Sequence, residues 1–87
     1  MYVIIVYDVG VDRVNKVKKF LRRYLVWIQN SVFEGELSDA DLEEVKMGLG
    51  DIIDCNEDMV VVYRLPNVRS MRKEVLGVDK SHSSEII

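Results

Sequence analysis

The stretch MYVIIVYDV, Met1–Val9, decides the fold. From Tyr2 to Tyr7 it is apolar without a break, and Val3 to Val6 are all valine or isoleucine. An unbroken β-branched run predicts a central strand covered on the faces its side chains point to. It is far too short to cross a membrane. The run stops at Asp8, with Gly10 two places on, so a turn is expected there. A carboxylate where a buried strand surfaces beside a flexible turn can hold a metal ion or a catalytic group. It can equally do no more than begin the turn.

Working outward, Asp12 reads as a helix N-cap, and the helix is expected to run to about Leu25. At helical spacing Val14, Val17, Phe20, Leu21, Tyr24 and Leu25 gather on one arc. Asn15, Lys16, Lys18, Lys19, Arg22 and Arg23 cover the other side, with no interleaved acid to pair with them. Val26–Leu37, VWIQNSVFEGEL, reads either as one long bent strand or as two short ones breaking near Asn30 and Ser31. Glu34-Gly35-Glu36 has the look of an edge or a bulge. Ser38 with Asp41 resembles a capping box, opening a helix in which Leu42, Val45, Leu49 and Ile52 share a face. That helix is expected to end at Gly50 or Ile53, followed by a polar turn, Asp54–Asp58.

MVVVYRL, Met59–Leu65, is a second candidate for the centre of the sheet, and Pro66 and Asn67 stop it. Val68–Leu76 reads as a loop or short helix carrying three cations. The tail ends in Ile86 and Ile87, which either pack back on the chain or add an edge strand to a partner. The order β, α, β(β), α, β predicts an α+β sandwich with two helices on one face of an antiparallel sheet. The ferredoxin-like βαββαβ arrangement fits best. One domain over 1–87 is expected, with about 66–87 as a C-terminal extension for dimer or partner contact.

A chain of 87 residues holds one modest core, and dimerisation would supplement it. Hydrophobic residues at 48% and charged residues at 31% fit an ordered globular protein. The single cysteine, Cys55, has no internal disulfide partner, and the single histidine, His82, excludes an internal Cys/His zinc cluster. No basic and apolar leader precedes Tyr2, so a cytoplasmic protein with no membrane contact is expected. The net charge of −3 is unevenly spread. Arg13, Lys16, Lys18, Lys19, Arg22 and Arg23 form one cationic block, and Arg64, Arg69, Arg72 and Lys73 another. Between them, Glu34–Asp58 holds ten acids and one base, Lys46. The cationic blocks are candidates for nucleic-acid phosphates, without base-specific roles.

Taken together, four landmarks resemble a known family. They are Tyr7-Asp8-Val9 ending the first strand, the helix pattern of Arg13, Lys16, Val17, Leu21 and Tyr24, the stretch QNSVFEGEL (Gln29–Leu37), and the strand Asp58–Leu65. The chain resembles the small CRISPR-associated endoribonuclease-type proteins of the spacer-acquisition machinery, partners of the CRISPR integrase. One departure is Leu25, where many relatives place glycine after the helix tyrosine.

The resemblance implies a ferredoxin-like fold and a two-fold homodimer acting on RNA or duplex DNA. It makes Asp8 a magnesium ligand, and gives Tyr7 and Phe33 as further site residues, with Arg13 and, less directly, Arg23 among the family's arginines. Two copies of Asp8 at a dimer axis could share one Mg2+, since magnesium accepts one or two carboxylates plus waters and phosphate. Ser31 or Tyr7 could orient phosphate or water, and Arg13 could pair with phosphate. Phe33 reads more readily as core packing than as base stacking, and Trp27 still more so. Two functions follow: a metal-dependent endonuclease, or a non-catalytic dimeric scaffold that binds duplex DNA and bridges integrase subunits.

Overall fold

The computed structural model describes residues 1–83. Its elements are β1 (Tyr2–Asp8), α1 (Val11–Leu21), β2 (Val26–Gln29), β3 (Val32–Glu36), α2 (Asp39–Ile52) and β4 (Met59–Leu65), then a 3-10 turn at Val68–Ser70 and α3 (Lys80–Ser83). The strands form one antiparallel sheet in the order β2-β3-β1-β4. This is the expected ferredoxin-like α+β arrangement. Ile86 and Ile87, and the edge strand considered for them, lie outside the described residues.

β1 is interior, but burial along it alternates. Val3, Ile5 and Tyr7 are buried among the helices, while Tyr2, Ile4 and Val6 are only half-buried on the opposite face. The apolar run therefore does not report two covered faces within one chain. Register places Val32 and Val61 beside Val6, and Tyr63 beside Ile4, on that same uncovered face. β4, the other candidate for the centre, is an edge strand, because β1 takes β3 as its second neighbour. Glu34-Gly35-Glu36 is likewise interior, and the bulge falls in β2 between Trp27 and Gln29. Of the two readings of Val26–Leu37, two strands is the observed one, turning at Asn30 with φ of 38°.

The core joins Val3, Ile5, Tyr7 and Phe33 of the sheet to Val17 and Leu21 of α1 and Leu42, Val45 and Leu49 of α2. Each large buried side chain contributes about 1.5–3 kcal/mol. α1 ends at Leu21, short of the expected Leu25. The amides of Arg23 and Tyr24 bond to carbonyls three residues back, which tightens the last turn. Its N-cap is Gly10, and Asp12 falls in the first turn. Leu25, the departure from the family pattern, needs no left-handed backbone and is buried. Its Cδ2 lies where a side chain on Gly35 would begin. Ser38 caps α2 as expected, its Oγ accepting from the Asp41 amide at 3.0 Å.

The two helices meet where Gly48 of α2 faces the ring of Phe20 on α1. A Cβ on Gly48 would overlap Phe20 Cζ. Gly48→Ala therefore sets a helix-propensity gain of about 1 kcal/mol against an overpacking cost of about 1–3 kcal/mol. Because a ring held between helices yields poorly, the net effect is expected to be a loss of about 1 kcal/mol. Denaturant unfolding checks it, and an unchanged or higher midpoint would mean the helices separate freely here.

Candidate nucleic-acid and metal site

The site is built where β1 ends. Asp8 is exposed and pairs in register with Met59, the first residue of β4. By strand alternation it shares the uncovered sheet face with Ile4 and Val6. The β2–β3 turn lies alongside, since the Tyr7 amide donates to the Ser31 carbonyl at 3.1 Å. So Ser31 lies opposite Tyr7 at this rim, with its side chain on the Tyr7 side of the sheet and not on that of Asp8.

Tyr7 and Phe33 are carried to the other side. Their rings stack in the core with centroids 6.3 Å apart, and Phe33 is fully buried. Full burial makes Phe33 a core ring, the reading favoured for it over base stacking. Tyr7 is also buried and faces away from Asp8. Burial pushes its phenol above the usual tyrosine value, with Arg22 and Ser31 pulling it back. No hydrogen bond of normal geometry closes on its oxygen among the described residues.

Sequence reasoning missed the residue that fixes this rim, Asp58. Its carboxylate is almost wholly buried and accepts four hydrogen bonds. Arg13 donates from Nε at 2.6 Å and Nη2 at 3.0 Å, the Gly10 amide donates at 2.9 Å and the Asp54 amide at 2.8 Å. Arg13 also bonds Asp12 and Glu57. Its guanidinium thus makes four bonds to carboxylates and holds two loops together. Only an aspartate in a polar turn signalled Asp58, because its partner lies 45 residues away.

The remaining cations divide. Lys16, Lys19, Arg22 and Arg23 are exposed, with no ion pair among the described residues. Arg64 reaches Asp39 at 3.9 Å, and Lys73 pairs with Glu34 at 3.4 Å on the uncovered sheet face. Glu34, buried, also accepts from the Tyr2 hydroxyl at 2.6 Å. Burial and then that hydrogen bond hold the Tyr2 phenol above its usual value. Arg69 and Arg72 are exposed in the segment after β4.

For a metal, one chain supplies a single well-placed carboxylate. No group of three His, Cys, Asp or Glu that could hold an ion occurs among the described residues. Magnesium tolerates such sparse ligation only with waters, phosphate or a second carboxylate. Asp8 fits as one ligand of a shared site. No helix among the described residues is long and apolar enough to cross a membrane.

Residues 1–73 match the family described as "CRISPR associated protein Cas2". The chain is 62% identical over 85 residues to a CRISPR-associated endoribonuclease Cas2 of Archaeoglobus fulgidus, covering 98% of this chain and 92% of that one. It is 57% identical to the CRISPR-associated endoribonuclease Cas2 of Thermococcus kodakarensis over the full length of both. Among solved structures, Streptococcus pyogenes Cas2 at pH 6.5 superposes with a TM-score of 0.77 at 34% identity, covering 88% of this chain and 100% of that one. Another Cas2 crystal structure gives a TM-score of 0.84 at 53% identity, covering 93% and 91%.

The Asp58 cluster makes stability depend on pH with a definite sign. Hydrogen bonds from Arg13, then from Asp54, hold the folded carboxyl far below its ordinary value. Unfolded, the same group binds its proton near pH 4, at about 3.9. Through and below that region the unfolded chain holds more protons, so stability is full above it and declines as pH falls. Asp58→Asn is expected to lower the melting temperature by several degrees near neutral pH, with the gap to the original protein narrowing in acid. Thermal melts across a pH series check this, and a constant gap would contradict it.

Proposed function

The chain belongs to the CRISPR associated protein Cas2 family, and from that premise we propose that it is a metal-dependent endonuclease working as a homodimer. Its bonds are the phosphodiesters of RNA or DNA. The observation that carries this is the placement of Asp8, exposed at the end of β1 on the sheet face opposite α1 and α2. A two-fold copy packed on that face would bury Ile4, Val6, Val61 and Tyr63 and bring a second Asp8 to the same rim. Relatives named as endoribonucleases support the hydrolytic reading.

In this reading the Asp8 carboxylates of the pair would hold one Mg2+. When bound, the ion supplies Lewis-acid polarisation of the scissile phosphate and an acidified water. Lys16, Lys19, Arg22 and Arg23, on the helix side, hold phosphates farther along the strand. The proton of the attacking water passes to solvent.

A second reading has one observation in its favour. A single chain lacks a three-group metal cluster among the described residues, yet carries a row of cations free of acidic partners. A dimeric scaffold that binds duplex DNA through those cations, and docks a CRISPR integrase, would need the row and not Asp8.

Asp8→Ala separates the two. On the endonuclease reading, cleavage of a labelled oligonucleotide in magnesium falls by at least about a hundredfold while the melting temperature holds, since Asp8 is exposed and packs nothing. A variant cutting as fast as the original protein would assign the activity to a contaminant and leave the scaffold.

A further inference from the structure

The row of cations on α1 has a feature that phosphate binding alone does not use. Lys16, Lys19, Phe20 and Arg23 of α1 and the adjoining turn, with Ile52 at the end of α2, line a shallow, open cavity of about 350 Å³. Its floor is apolar, Phe20 and Ile52, and its rim is cationic. Arg23 is held above this floor. Its guanidinium carbon lies 5.9 Å from the Phe20 ring centre and 5.9 Å from that of Tyr24, two rings themselves packed at 5.4 Å. An arginine braced on two aromatic faces gives up less freedom on gripping a phosphate.

An aromatic floor inside a cationic rim is the pairing by which proteins hold unpaired nucleotides. The base lies on the ring and the cations follow its phosphate. A base within a duplex is already stacked on its neighbours and cannot enter. An acidic peptide would satisfy the rim but offers no planar face for Phe20. Resting on the nucleic-acid reading above, we propose that this cavity holds one unpaired nucleotide. Its base lies against Phe20 and Ile52, and its phosphate sits between Lys16, Lys19 and Arg23. The site prefers single strands or frayed ends over continuous duplex and is tolerant of base identity. It lies on the helix side of the molecule, so it positions a strand without taking part in chemistry at Asp8.

The test uses the full chain with isotope-labelled isoleucine methyl groups, titrated with uridine monophosphate and, separately, with inorganic phosphate. The Ile52 methyl resonance should move with the nucleotide and stay nearly still with phosphate alone. In parallel, affinities for one oligonucleotide, single-stranded and as a duplex, are measured at fixed salt. Phe20→Leu should weaken the single strand by about tenfold and the duplex by less than about twofold. Because Phe20 also packs on Gly48, Ile52→Asn serves as a second variant, making the floor polar without removing the ring or adding a charge. It should show the same selective loss. Equal losses on both oligonucleotides, or an Ile52 methyl that answers phosphate as well as nucleotide, would overturn the cavity and leave a plain phosphate-binding face. An oligoglutamate peptide competing as well as the single strand would also overturn it. No affinity for either oligonucleotide would overturn the nucleic-acid reading and the cavity with it.

Discussion

Four donors converge on the Asp58 carboxylate, two from Arg13 and one each from the amides of Gly10 and Asp54. Asp54 follows α2 and Asp58 precedes β4, while Gly10 and Arg13 set the start of α1 after β1. One buried anion thus locks both strand–helix junctions at the same end of the sheet. A buried carboxylate with fewer partners would be costly, and with four it is held in one geometry. Asp8 takes its position from this lock. It leaves β1 at a fixed point because Gly10, two residues on, is tied to Asp58.

The second constraint is that α1 and α2 both pack on one side of the sheet. β1 alternates between buried Val3, Ile5 and Tyr7 and half-buried Tyr2, Ile4 and Val6. On the uncovered side, the ionic and polar contacts of Tyr2, Glu34 and Lys73 satisfy one buried carboxylate amid otherwise apolar neighbours. An apolar sheet face carrying an exposed aspartate at its rim suits a two-fold partner better than it suits water. On the helix side, Lys16, Lys19, Arg22 and Arg23 are exposed and make no ion pair among the described residues. Chemistry at the rim and strand binding on the helices would thus occupy different surfaces of one small molecule.

Much of this was legible in the residues. The strands, both helices and the Ser38 cap follow from apolar period and cap chemistry, which are local properties. The interior place of β1 was legible from its unbroken run, but its one-sided burial was not, since an apolar residue reads alike whether its cover comes from its own chain or another. β4 reads like a central strand for the same reason. The shorter α1 reflects a last turn tightened to three-residue bonds, and the apolar arc continues through Tyr24 and Leu25 regardless of that change. Phe33 could be weighed only by habit of its type, and its full burial came from the packing of α1 and α2. Asp58 and Arg13 meet across 45 residues, a distance no periodicity encodes. The resemblance through Tyr7-Asp8-Val9 and Gln29–Leu37 pointed to the family that residues 1–73 match.

The account turns on two Asp8 carboxylates sharing one ion. Calorimetric titration of manganese, an oxygen-loving stand-in for magnesium, into the purified protein measures that sharing through its stoichiometry. The account predicts about 0.5 ion per chain, one for each two-fold pair, and no binding in Asp8→Ala. One ion per chain, or an isotherm unchanged in Asp8→Ala, would contradict it.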